Sequence, residues 1–394
     1  MSILLEGSEK IEKVGLSKAL SFNVPHAEMM NKLALCAKVV PSSAAIPILH
    51  NVKFDLNGDT LFITAMDTDQ SVLQMMKVDN VGKVNGSFLF PSKEGIELVK
   101  RLPEGNLTFT KEDTTLFITY GKRGKANVKV LNSDEYPNLP KMESDDVTFV
   151  PIEVLRKGAI ATKFTLLDPQ RPALSGIFIY NHEGKLGFLG TDTHRIYRYV
   201  SDVQIANPST FVNSIIPALN FKHIVASLKG GNEISLLITN DYLVLRDKSA
   251  NIIYFGRLTD ATYPDAQITR IYQGMGAKGS KTVSLRRREF DETLNRALSL
   301  DATNNRITLE TSEEGVFTLH TRSENSELLE EFPDAIVDKG FPVIKFNGKY
   351  LRDALLVGDR EVEQISLQTK DAGSTGFVTM EGDPSVVVVI NPVR

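Results

Sequence analysis

Four groups of residues in this chain have the types that chemistry uses, and each lacks the pattern that chemistry needs. Gly121-Lys122-Arg123-Gly124-Lys125 sets glycines beside cations, as a phosphate cradle does. It has neither the glycine spacing nor the Ser or Thr that follows the lysine of a phosphate loop. The six histidines (His26, His50, His182, His194, His223 and His320) are candidate metal ligands, but none shows a spacing such as H-E-x-x-H. Asp67, Asp69 and Asp192 could form a carboxylate metal site. They recur at one offset along the chain, which favours the capping of equivalent turns instead. Asp192-Thr193-His194-Arg195 resembles a kinase catalytic loop only superficially, without its companion motifs. No metal, no cofactor and no catalytic residue is expected.

The lone cysteine, Cys36, rules out an intramolecular disulfide and fits a reducing, cytoplasmic setting. It lies in the apolar run Leu33-Ala34-Leu35-Cys36-Ala37 and reads as a small core residue. No stretch approaches the roughly 20 apolar residues of a membrane span. Residues 1–18 mix Glu6, Glu9, Lys10, Glu12 and Lys13 with short apolar pieces. They lack the positive-then-apolar order of a signal peptide and read as an N-terminal extension.

The elements that carry these residues repeat. Pro91 to Gly105 matches Pro217 to Gly231, both pairs 126 apart, and a weaker third copy starts at Phe346 and runs through Tyr350, Leu351, Ala354 and Leu355. Val24-Pro25 and Val150-Pro151 each open a helical run, with Arg286 to Leu300 as third counterpart. Ile46 to Val52 matches Arg171 to Ile177, and Met66-Asp67-Thr68-Asp69 matches Thr191-Asp192-Thr193-His194, both at offset 125. Several matches at nearly one offset indicate a triplicated unit. Each copy reads as an amphipathic helix, a pair of alternating strands, another strand, a second helix and more strands. Met29, Met30, Leu33, Ala37 and Val40 give the helical spacing, and Asn57-Gly58-Asp59 breaks the alternation as a turn does. The order predicts α+β domains with helices on one face of antiparallel sheet. The expected divisions are 1–18, 19–144, 145–273 and 274–394, with a Gly-rich linker from Gly274 to Lys281.

The net charge of −4 argues against nucleic acid at first sight. The expected helices are nevertheless basic on balance, with Lys32, Lys100, Arg101, Lys157, Lys222, Lys229 and Arg352 as the expected DNA-facing set. Three copies with two helices each make a head-to-tail dimer of twelve helices. At about 9 Å between axes these span roughly 110 Å of circumference around a hole roughly 35 Å wide. That passes duplex DNA, and basic side chains would meet phosphates without base readout.

The triplicate domain resembles the bacterial DNA polymerase III beta subunit, the DNA sliding clamp. The residues that carry the resemblance are Ile46-Pro47-Ile48-Leu49, Leu174-Ser175-Gly176, Thr191 to Ile196, Tyr263-Pro264-Asp265 and the Val-rich tail. It covers residue 19 to the end and implies three repeated clamp domains, sheets outside and helices lining a central hole. It further implies a non-catalytic ring that tethers the replicative polymerase to duplex DNA. Expected partners are a second copy, clamp loader subunits, repair polymerases and mismatch-repair proteins, the proteins docking through short peptides. A peptide-binding scaffold that does not encircle DNA is the alternative. The resemblance places the peptide pocket at Leu174, Thr191, Thr193, His194, Arg195, Ile196, Pro264, Val389, Ile390, Pro392, Val393 and Arg394, with His194 and Arg195 as polar handles at the rim. It places the dimer interface at Val128 and Val130 against Leu298 and Leu300. Three departures stand out: Thr193 where the family has Gly, a tail without the family's final Leu, and no arginine near Ser43 where the family uses one beside DNA.

Overall fold

The computed structural model describes residues 19–43, 46–141, 146–228, 233–300, 305–359 and 361–393. The extension expected at residues 1–18 lies outside them, as do Lys229 and Arg394.

The first copy runs β1 (Leu20–Pro25), α1 (His26–Val39), β2 (Asn51–Asn57), β3 (Thr60–Met66), β4 (Gln70–Lys77), β5 (Gly86–Pro91). It continues through α2 (Ser92–Lys100), β6 (Asn106–Glu112), β7 (Thr115–Tyr120) and β8 (Gly124–Lys129). The second copy has β9 (Thr148–Val150), α3 (Ile152–Ala159), β10 (Gly176–His182), β11 (Lys185–Thr191), β12 (Arg195–Gln204) and β13 (Ser214–Pro217). Then come α4 (Ala218–Val225), β14 (Ile234–Ile238), β15 (Tyr242–Asp247), β16 (Ile252–Arg257) and an added helix, α5 (Asp265–Tyr272). The third copy has β17 (Lys281–Arg286), α6 (Arg287–Leu300), β18 (Arg306–Thr311), β19 (Phe317–Arg322), β20 (Glu327–Phe332) and a short β21 (Ile336–Val337). It ends with β22 (Ile344–Asn347), α7 (Gly348–Leu355), β23 (Gln364–Thr369), β24 (Gly376–Met380) and β25 (Asp383–Ile390).

The same strand order appears in every copy. One sheet is β5-β2-β3-β4, matched by β13-β10-β11-β12 and β22-β18-β19-β20. The other is β1-β6-β7-β8, matched by β9-β14-β15-β16 and β17-β23-β24-β25. All described pairings are antiparallel, so the fold is α+β with three clamp-type repeats.

Local chemistry explains why strand passes straight into helix. Pro25, Pro91, Pro151 and Pro217 each sit at the N-cap, extended in ψ, between a strand and its helix. Proline lacks an amide hydrogen, so it ends a strand ladder without leaving a donor unpaired. The third copy substitutes Asn347, whose side chain accepts from the Lys349 amide and caps α7. The turn aspartates behave as expected from their offset. Asp67 Oδ1 accepts from the amides of Asp69 and Gln70, and Asp192 Oδ1 from those of His194 and Arg195.

The chain forms two compact units, one ending at Leu139 and one beginning at Pro140. The first is cored by Phe22 stacked on Phe109 and by Phe54 between Phe88 and Phe90. Cys36 is fully buried there, and burial pushes its thiol up to about 12, so it is an unreactive core residue. The second unit holds the second and third copies, joined by β12 and β25 into one nine-stranded sheet. Residues 273–280 between those copies form successive turns closed by backbone bonds such as Ala277 N to Gly274 O.

Candidate peptide-binding site at the joint of the second and third copies

The β12–β25 joint pairs Arg195 with Ile390, Ile196 with Val389 and Arg198 with Val387. Side chains alternate across a strand, so the Arg195–Ile390 pair takes one face and the other two pairs the opposite one. Ile196 and Val389 join Phe178, Leu189, Ile215, Tyr263, Ile268, Tyr272, Phe377 and Val387 in a single apolar cluster. Ala173, next to Leu174, packs against the same cluster. Leu174 and Pro264 are half-buried, while Thr193 and His194 are exposed. Ile196 and Val389 are themselves core, 6% and 1% exposed, so among the residues the resemblance groups here Leu174, Pro264, Thr193 and His194 offer surface around them.

Arg195 and Ile390 lie on the other face, and this corrects two expectations. Ile390 is 0% exposed and belongs to the core rather than to a pocket wall. Arg195 is 9% exposed and is no rim handle. Its Nε donates to Asp192 Oδ2 at 2.9 Å, its Nη2 to the Lys163 carbonyl at 2.8 Å, and its Nη1 pairs with Asp353 of α7. The guanidinium lies between the rings of Phe164 and Tyr350, 4.8 Å and 4.5 Å from their centroids. Gly190 makes this possible. A Cβ there would come within 2.5 Å of the Ala161 carbonyl, so only glycine lets residues 160–164 lie on β11 and present Lys163 and Phe164 to Arg195. His194 remains outside, stacked on Tyr350 at 6.1 Å.

Thr191 closes the turn from within. Its hydroxyl donates to the Arg195 carbonyl at 2.8 Å and accepts from the Thr193 amide at 3.1 Å. Thr193 itself has φ +76°, a left-handed conformation that β-branched residues avoid. Replacing it with glycine removes a strain of about 1–2 kcal/mol against about 0.5–1 kcal/mol of added unfolded-chain entropy. Thr193→Gly is expected to raise the unfolding free energy by up to about 1.5 kcal/mol, read as a higher urea midpoint at unchanged m value, and a lower midpoint would contradict this. Asn391 holds the tail to the turn, its amide donating to His194 O and its side chain to Thr193 O. The Val393 amide then bonds Lys345 O on β22, which leaves Pro392 and Val393 half-buried beside His194.

Sequence reading missed Phe178, Tyr263, Ile268 and Tyr272, although the spacing of Ile268 and Tyr272 behind Pro264 is a helical signal. The basic residues need a further correction. Lys157 is held by Asp359 at 2.9 Å and Asp383 at 3.0 Å, so it is not free to meet phosphate. Burial opposes charge on both partners, yet hydrogen bonding prevails: the two carboxylates raise the Lys157 pKa, and Ser385 with Lys157 lowers that of Asp383. Lys100 and Arg101 both approach Glu97, and Arg352 pairs with Asp291. Lys32 is half-buried, and Lys222 is exposed with no ion pair among the described residues. Val130 is 2% exposed within its own unit, leaving no surface for a dimer partner, while Val128 and Leu298 are half-buried and Leu300 is exposed.

Two family models match the chain: DNA polymerase III beta subunit, N-terminal domain, over residues 20–140, and the central domain over 150–265. A beta sliding clamp of Staphylococcus aureus is 26% identical over 386 residues, covering 95% of this chain and 99% of the relative. One of Halalkalibacterium halodurans is 28% identical, covering 84% and 88%. The crystal structure of the Bacillus subtilis DNA polymerase sliding clamp superposes with TM-score 0.86 at 23% identity, covering 95% of this chain and 99% of that one. A Pseudomonas aeruginosa sliding clamp bound to griselimycin also gives 0.86, at 21% identity, covering 95% and 100%. With two models of one subunit matched in order over more than half its length, and the same repeat carried through all three copies, the chain belongs to the DNA polymerase III beta subunit family.

Proposed function

We propose that the chain is a sliding clamp: a head-to-tail homodimer that closes around duplex DNA and tethers a replicative polymerase, without chemistry of its own. Its three domains are 19–144, 145–273 and 274–394, and partners dock by short peptides at the β12–β25 joint. It works in the cytoplasm. No described helix is long and apolar enough to cross a membrane.

The observation that carries this reading is a pair of open sheet edges with opposite charge. In the described sheets β8 and β20 each end a sheet. β8 exposes Lys125, Asn127 and Lys129, whereas β20 exposes Glu327, Leu329 and Glu331. Open edges invite pairing. Like charges oppose β8 on β8 and β20 on β20, while opposite charges favour β8 of one protomer on β20 of the next, a heterologous contact. Leu329, 59% exposed on that edge, is the apolar anchor such a seam would bury. Leu329→Glu is expected to weaken the dimer about a hundredfold, since burying an unpaired charge costs about 3 kcal/mol or more. Sedimentation of the parent chain as a monomer at micromolar concentration would remove the ring.

On DNA, the clamp is expected to stay on closed circles after loading and to run off linear ends. Losing the Lys222 phosphate contact lowers the slope of log affinity on log salt by about 0.9. Lys157→Ala leaves that slope unchanged, because Lys157 already serves two carboxylates. Retention that depends on base sequence would contradict the proposal.

A further inference from the structure

A groove of 620 Å³ borders the apolar cluster at the joint. It is lined by Phe178 and Ile215 of the apolar cluster, by the β14–β15 turn at Asn240 and Asp241, and by the segment from Arg257 to Tyr263 together with Asp265. Backbone bonds fix its walls: Leu258 N to Asp241 O at 2.8 Å and Thr259 N to Ile215 O at 2.8 Å.

Three features point to a ligand. Asp241, Asp260 and Asp265 are exposed, and none is in an ion pair among the described residues. Arg257 is the groove's single cation, so the lining carries net negative charge. Tyr263, 4% exposed, lines this groove and belongs to the apolar cluster, so the two adjoin.

We infer that the partner peptide does not stop at its apolar anchors but continues past Pro264 into this groove, and that the continuing flank is basic. Lysine or arginine side chains would meet Asp241 and Asp260. The inference rests on the peptide-site reading above. Its contribution is one of selection: anchors make a partner bind, and the flank ranks partners that share the same anchors.

The test is fluorescence polarisation on the full chain with three labelled peptides. One carries apolar anchors alone, one adds three lysines, and one adds three alanines; each flank is placed at either end in turn. The lysine flank at one end is expected to bind about tenfold tighter than the alanine flank at low salt, as a few exposed ion pairs allow. The gain should shrink as salt rises beyond about 0.15 M. The double variant Asp241→Asn, Asp260→Asn should lose the gain while keeping the anchor-only affinity and its melting temperature. Equal binding of lysine and alanine flanks at both ends, with anchors bound, overturns the inference and leaves the peptide site standing. Failure of the anchor peptide itself removes the peptide site and the inference together.

Discussion

Arg195→Ala is expected to destabilise the unit beginning at Pro140 by about 3–5 kcal/mol, the usual cost of deleting one member of a buried ionic cluster. The variant strips Asp353 of its cation, leaves the Lys163 carbonyl without a donor and empties the space between Phe164 and Tyr350. It also unties α7 of the third copy from the turn that carries His194. For a unit of this size the loss corresponds to a fall of about 10 °C in melting temperature. Asp353→Asn, which keeps a hydrogen-bond acceptor, should cost only about 1 kcal/mol. Peptide affinity of Arg195→Ala, measured below its melting point, should fall as well because His194 loses its fixed place. A variant within 1 kcal/mol of the parent would mean the guanidinium is replaceable by water, and the locking role would be abandoned.

The second large effect concerns the tail and depends on where the cut is made. Ending the chain before Val389 is expected to cost about 4–6 kcal/mol, from two fully buried apolar side chains at about 1.5–3 kcal/mol each plus ladder bonds to β12 and β24. Val389 and Ile390 are 1% and 0% exposed and pair with Ile196, Arg195, Phe377 and Gly376. That truncation tests folding and cannot report on peptide binding alone. Ending before Pro392 keeps β25 whole and gives up the Val393–Lys345 bond, about 1 kcal/mol. The shorter truncation and Leu174→Asp, a charge on a half-buried position, should each abolish calorimetric binding of a polymerase-derived peptide while the dimer survives. Unchanged affinity in both would place the peptide elsewhere.

The repeat was legible because a triplicated unit must place the same residue types at one offset, as Pro91 with Pro217 and Asp67 with Asp192 do. Helix entries were legible because proline marks the switch from strand. The faces at the joint were not. Alternation within Val386-Val387-Val388-Val389-Ile390 is invisible when every residue is apolar, so neither the burial of Val389 and Ile390 nor the face each one takes could be read there. The role of Arg195 was equally hidden, because Asp353 lies 158 residues away and no local pattern announces the pairing. Lys157 failed for the same reason: its carboxylates come from the third copy, and charge counting on its own helix cannot see them.

The edges that this chain seals internally differ in kind from those it leaves open. β12 and β25 meet along Arg195-Ile196-Tyr197-Arg198-Tyr199 and a run of four valines and an isoleucine, aromatic and aliphatic sequences of the sort that template aggregation when bared. A third copy produced alone, by expression or by a proteolytic nick near Gly274, would carry that valine edge uncovered. It should precipitate or fibrillise, and a protease-sensitive turn there would be a route to irreversible loss of the protein. β8 and β20 carry lysine and glutamate instead, so they can stand open to water without that hazard. The apolar edges are sealed within the chain, and the charged edges are the ones left exposed to water.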